Sequence, residues 1–298
     1  MATNVDAGMR SWARLRRNAM IQVAVMAACL LPWMIGFVGL AMPAVRGLWE
    51  AGTFAGNGAR LVGALIYIAG AITIYQLLVQ WIERRPAFEL ARIPGVRQGL
   101  IGFAIGSFLL IASIGLMWLA GWAQPIGIGT ANYLVASAAA SMMAAVGEEV
   151  LFRGVMFRIV ERATGTTIAL LVSALFFGLS HLANPEATLF SSLIIAIEAG
   201  LLLGLAYAVS RNLWFPIGIH FAWNFTEGGI FGASGSGPVQ HGLVNMTFSG
   251  PDWITGGSLG LDNSLVAVAL CIALAVAFAL LARKEGNWAP MRLRVRLD

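Results

Sequence analysis

The chain has 298 residues, of which 59% are hydrophobic and only 11% charged, with a formal net charge of +5. Soluble domains carry about 25% charged residues, so this composition excludes an ordinary soluble globular protein and defines an all-α polytopic membrane protein. The arginines flank apolar runs, where they set topology and meet lipid headgroups. A lipid bilayer is therefore an expected partner and nucleic acid is not.

The first residues, MATNVDAGMRSWARLRRNAM, are basic and lead into an apolar stretch without a small-residue cleavage site. They predict a retained first helix rather than a signal peptide. A membrane span needs about 20 mostly apolar residues. Eight segments qualify: 19–42, 61–82, 98–122, 131–163, 166–183, 188–210, 213–231 and 264–282. They are separated by a charged loop (ERRPAFELARIPG, 83–95), a short uncharged one (123–130), a break at ANPEA (183–187) and a long Gly-rich loop (232–263). Cys29 and Cys271 both fall in apolar runs and read as small buried hydrophobes, not as a disulfide framework.

With a cytoplasmic N-terminus, one side collects Arg10, Arg14, Arg16, Arg17, Arg84, Arg85, Arg92, Arg97, Arg158, Arg162, Arg211, Arg283, Lys284, Arg292, Arg294 and Arg296. The other side holds only Arg46 and Arg60, along with Glu50, Glu186, Asp252 and Asp262. Eight spans with both termini cytoplasmic satisfy the positive-inside rule. The chain reads as one membrane domain over 1–298, with its chemistry-bearing helices at 131–231.

The fourth segment is too long for a plain span. Its 33 residues from Ala131 to Ala163 make about 50 Å of helix, so its amphipathic end, FRIVERATG, is expected to project beyond the membrane surface. Gly165 then supplies the left-handed geometry of a turn. Glu148 and His181 stand 16 or 17 residues on either side of that turn, which puts them at equal depth in an antiparallel hairpin.

Within the hairpin, Glu149 and Arg153 are spaced i, i+4 and can pair on one helix face. Glu148 lies about 100° further round and has no such local partner. A carboxylate in an apolar cavity gains proton affinity and suits a general base; the bland alternative is that the Glu-Glu-Arg cluster joins helices. FFGLSH (176–181) sets Phe177 and His181 at i, i+4, and FPIGIHFAWNF (215–225) does the same for His220 and Asn224. Pro216 falls in the first turn of its helix, where the missing N–H does no harm. Side by side, the His220 ring and the Asn224 amide offer two hydrogen-bond donors. Glu198 is expected to make a structural hydrogen bond, and Glu227 to sit toward the far surface. His241 has no assigned role. Ser180 beside His181 lacks a nucleophile elbow.

Three motifs, Glu148-Glu149-x-x-x-Arg153, Phe177-x-x-x-His181 and His220-x-x-x-Asn224, occur in that order on successive polar helices, with Phe215-Pro216 ahead of the third. Together they resemble the CPBP family of CAAX-prenyl endopeptidases and bacteriocin-processing or self-immunity proteins, also called the ABI family. The resemblance spans about residues 145–225. It implies an intramembrane endopeptidase in which Glu148 is the general base and His181 helps hold the attacking water. His220 and Asn224 would then stabilise the oxyanion, with Glu149 and Arg153 as a supporting ion pair. The prenyl specificity belongs to one branch and does not carry over with the motifs.

Two chemistries stay open for the same residues. Glu148, His181 and His220 could ligate zinc with a position left for water, which would make the protein a metalloprotease, although His-Glu-x-x-His is absent. The favoured reading is metal-free, because an amide such as Asn224 is a poor zinc ligand and a good oxyanion donor. The expected whole is a bundle of about eight helices with a polar intramembrane cavity opening to the cytoplasmic side. It would cut a membrane-associated peptide or protein substrate. The rivals are a proton-coupled transporter using Glu148, His181 and Glu198, and a non-catalytic bacteriocin-immunity or binding protein.

Overall fold

The computed structural model describes residues 18–41, 54–184, 187–233 and 242–292. Arg10, Arg14, Arg16, Arg17, Arg46, Glu50, Glu186, His241, Arg294 and Arg296, named above for topology or role, lie outside these residues.

Six consecutive helices are long and apolar enough to cross a membrane: α1 (Ala19–Leu40), α2 (Ala55–Glu83), α3 (Arg92–Leu119), α4 (Leu134–Thr164), α5 (Thr166–Ala183) and α6 (Leu189–Ser210). The next, α7, is an 11-residue α-helix, Trp214–Asn224, continued by six π-helical residues, Phe225–Ile230. It falls short of the about 20 residues of a full crossing. A final span, α8 (Leu265–Lys284), brings the full-length helices to seven among the described residues. All eight expected segments are thus helical, in an integral multi-pass membrane protein. Large apolar side chains point outward along the bundle, including Ile93 at 93% exposure and Leu119 at 76%. Such a surface is stable in lipid and a liability in water.

Several boundaries differ from expectation. The helix α2 starts six residues before the expected position 61, and the expected loop 83–95 shortens because α3 begins at Arg92. Pro94 is then in the first turn of α3, where no N–H is needed. The segments read as loops contain two strands, β1 (Ala123–Ile128) and β2 (Val244–Phe248). They pair antiparallel from Ala123↔Phe248 to Ile128↔Val244, with an irregularity between Pro125 and Gly127. The two cysteines also part company: Cys271 is buried as expected, but Cys29 is exposed on the outside of α1.

The polar ends of the helices meet at one end of the bundle and fix the hairpin. Arg158 of α4 grips Glu83 of α2 through two bonds of 2.5 and 2.7 Å, and Arg162 adds a third at 3.0 Å. Arg162 also reaches Gln22 at the start of α1. Arg211, after α6, pairs with Glu161 and donates to the Asn287 carbonyl beyond α8. The start of α1 and the segment after α8 therefore lie at the same end of the bundle. At the α4–α5 turn Gly165 has φ +95°, and a Cβ there would run into the Pro290 carbonyl. Main-chain bonds from Thr166 to Ala289 (3.2 Å) and from Arg292 to Thr164 (3.0 Å) strap the C-terminal segment across this turn.

Between β1 and the turn, α4 runs through the middle of the bundle against α2, α5 and α7. The contact of α3 with α7 is closest: a Cβ at Gly102 would strike the Phe215 carbonyl, and one at Gly218 the Gly99 carbonyl. This packing holds α7, and the side chains it carries, against the centre of the molecule.

Candidate active site

Four elements bring polar groups to one place because each carries them on its inward face. Glu148 and Glu149 end the regular part of α4, which continues as a π-helical segment over Val150–Phe157. A second π segment, Ala196–Gly200, interrupts α6 at Glu198, and a third begins immediately after Asn224. Wide turns of this kind are common beside functional sites, because they rotate side chains and leave main-chain carbonyls short of partners. Two such carbonyls, of Ala199 and Gly200, accept from Arg153 Nη2 at 3.4 and 3.0 Å.

Arg153 is wholly buried and donates through Nη1 to Glu149 Oε1 at 2.7 Å, the i, i+4 pair read from the sequence. Its guanidinium also lies over the Phe177 ring, 4.5 Å from the centroid. The same Glu149 oxygen meets His220 Nδ1 at 3.1 Å, across 71 positions of chain. Glu149 therefore joins α4 to α7 and fixes which ring nitrogen turns inward. His220 Nε2 faces Glu148 Oε2 at 4.0 Å. Glu148 Oε2 is buried and accepts no hydrogen bond from the protein.

Glu148, His181, His220 and Asn224, the four residues named from the sequence, line one cavity of about 90 Å3. That is room for several water molecules. The ring of Phe177 forms part of its wall, 5.0 Å from His181 and 6.0 Å from His220 between centroids. His181 Nδ1 bonds the Phe177 carbonyl at 2.9 Å, which fixes that ring at the end of α5. Ser180 Oγ donates to the same carbonyl at 2.6 Å and so serves as a helix-end bond. Glu148 has a second face: it also borders an apolar groove of about 700 Å3 between α1, α2 and α4, walled by Met34, Tyr67, Ala139 and Met143.

Three features were not anticipated. The Glu149–His220 bond depends on how α7 docks against α4, and helical spacing within either segment carries no trace of it. The cavity lining continues through Glu198 and Cys271, which share a contact of 3.7 Å, to Asp262, which accepts from Trp223 Nε1 at 2.9 Å. His181 and Asp262 belong to the end of the bundle away from the arginine-rich turns, so the cavity is not confined to the basic side as expected. Glu227, in the π segment that ends α7, is also enclosed, at 4% exposure, which its position along the chain did not indicate.

The proposed zinc set does not assemble. Glu148, His181 and His220 share the cavity, but among the described residues no three His, Cys, Asp or Glu side chains are grouped to hold a metal ion.

The helical bundle thus encloses Glu, His and Asn side chains, groups able to activate and hold a water molecule, around one cavity. Residues 130–226, a third of the chain and the part that builds this site, match the family described as type II CAAX prenyl endopeptidase Rce1-like. This part of the chain is thus similar to the CAAX-type membrane endopeptidases. No curated protein and no solved structure matches it.

Proposed function

We propose that the protein hydrolyses a peptide bond of a membrane-associated substrate by a metal-free, glutamate-activated water. The observation that carries this reading is Glu148 Oε2, which lacks a protein partner and faces His220 Nε2 at 4.0 Å. One oxygen atom can lie within hydrogen-bond range of both atoms across that distance. Glu148 takes a proton from water there, and the hydroxide attacks the substrate carbonyl carbon. Carrying a proton on each ring nitrogen, His220 donates Nδ1–H to Glu149 and Nε2–H to the forming oxyanion. The Asn224 amide, one turn along the same helix, supplies a second donor. His181 helps to hold the water. Glu148 then returns its proton to the departing amine. Glu149 and Arg153 act as positioning residues, since both reach the cavity only through His220 or Phe177. The apolar groove beside Glu148 suits the membrane-embedded part of the substrate.

The test is a peptidase assay on membrane-inserted peptides with purified protein, with and without chelator, beside Glu148→Gln. The reading expects cleavage that survives chelation and falls by about 10²–10⁴ in the variant, the range for loss of a general base. Cleavage abolished by chelator would turn the mechanism to a metal. Wild-type turnover in Glu148→Gln would remove Glu148 as base. Solute uptake driven by a pH gradient without any cleavage would favour the transporter.

A further inference from the structure

On another face of α7, where it packs against α3, lies a separate apolar groove of about 500 Å3. Its walls include Gly95, Gly99 and Phe103 of α3 and Trp214 and Phe221 of α7, and Arg92 marks one end. The Trp214 indole lies directly over Gly95, near that same end. Arg92 is exposed and forms no ion pair with any described residue; the exposed Arg84 and Arg97 flanking it in sequence form none either. From Arg92 to Phe103 the helix rises about 16 Å. This is half of the about 30 Å hydrocarbon thickness of a bilayer, so the groove runs the depth of one leaflet.

We propose that this groove is a binding site for one anionic phospholipid. The phosphate lies against the Arg92 guanidinium with the Trp214 indole beside it, and an acyl chain follows Gly95, Gly99 and Phe103 inward. The shape argues against the other occupants. A peptide strand would leave its main-chain polar groups unsatisfied against a hydrocarbon wall. A partner helix crossing the membrane would need about twice this length of contact. A lipid meets both constraints, with its polar part at the rim and only methylenes inside. The surplus of arginines without carboxylate partners selects a negative headgroup over a zwitterionic one. Gly99 leaves the chain its room: the nearest atom to a Cβ there is 3.7 Å away.

Native mass spectrometry of the full chain released from detergent micelles tests the site, with phosphatidylglycerol and phosphatidylcholine added at equal concentration. The expected result is one retained phosphatidylglycerol per chain, in preference to phosphatidylcholine. Arg92→Gln is a surface change and should lower phosphatidylglycerol occupancy about fivefold, the contribution of one arginine near a charged headgroup. Arg97→Gln, off the groove, should keep it. Gly99→Leu, whose Cβ meets α7 at ordinary van der Waals distance and whose side chain takes up groove volume, should reduce retention of both lipids. Equal retention of the two lipids by the wild type would overturn the proposal. Wild-type occupancy in Arg92→Gln would overturn it as well, because the bound lipid would then be ordinary annular lipid.

Discussion

Arg153→Ala removes a cation that is 0% exposed, the most buried among the described residues, and the structure sets the scale of the loss. The guanidinium gives Nη1 to Glu149 at 2.7 Å and Nη2 to the Gly200 carbonyl at 3.0 Å, over the Phe177 ring. Without it, Glu149 is a fully buried carboxylate whose remaining bond is to His220 at 3.1 Å. Breaking a buried pair on one side costs about 3–5 kcal/mol, out of a total stability of about 5–15 kcal/mol. For a chain of this size such a loss lowers the melting temperature by roughly 5–8 °C. The pair is also only partly satisfied, since Glu149 Oε2 and Arg153 Nε have no hydrogen-bond partners. Replacing both residues by methionine should therefore restore most of the stability, yet turnover should stay low because His220 has lost its partner. Thermal unfolding in detergent, beside the peptidase assay, reads both quantities. Wild-type melting in Arg153→Ala, or a double variant no more stable than the single one, would refute this account of the pair.

Asn224→Ala should lower kcat by about 10²–10³, the scale for one lost oxyanion donor, with folding unchanged; undiminished kcat would take Asn224 out of the mechanism. Gly165→Ala should destabilise by at least about 1 kcal/mol, because the turn has φ +95° and a Cβ meets the Pro290 carbonyl; a melting curve checks it. Burial alone would raise the proton affinity of Glu89, but the bond from Arg85 and the charge of Arg158 outweigh it and hold the carboxyl below its ordinary value. Its contribution to stability is then complete above about pH 4.3, the ordinary value for glutamate, and is lost as pH falls through the depressed folded value. Melting temperature against pH should decline less steeply in that acid window for Glu89→Gln than for the wild type.

The helices were legible because lipid demands long apolar runs, and 131–231 announced itself by placing Glu148, His181, His220 and Asn224 within them. Helical spacing also found the Glu149–Arg153 pair, since both residues sit on one turn of one helix. It missed the bond from Glu149 to His220, which exists only once α7 has docked. The β1–β2 ladder escaped for a similar reason: its partners lie more than a hundred residues apart, and AQPIGI shows glycine and proline rather than alternation. The start of α2 is masked in the sequence because the polar residues Asn57 and Arg60 occupy its first two turns. Sequence alone places Glu148, His181 and His220 on separate helices and does not set the distances between their donor atoms, so it left a zinc set and a metal-free site as alternatives.

The strap across the α4–α5 turn has a consequence for biosynthesis. The hydrogen bond from Ala289 N–H to Thr166 Oγ1 closes a separation of 123 positions. The hairpin bearing Glu148 and His181 thus enters the bilayer long before the segment that clamps its tip has been translated. Its final geometry is deferred until α8 has crossed, so the nascent chain spends that interval with the hairpin tip unclamped.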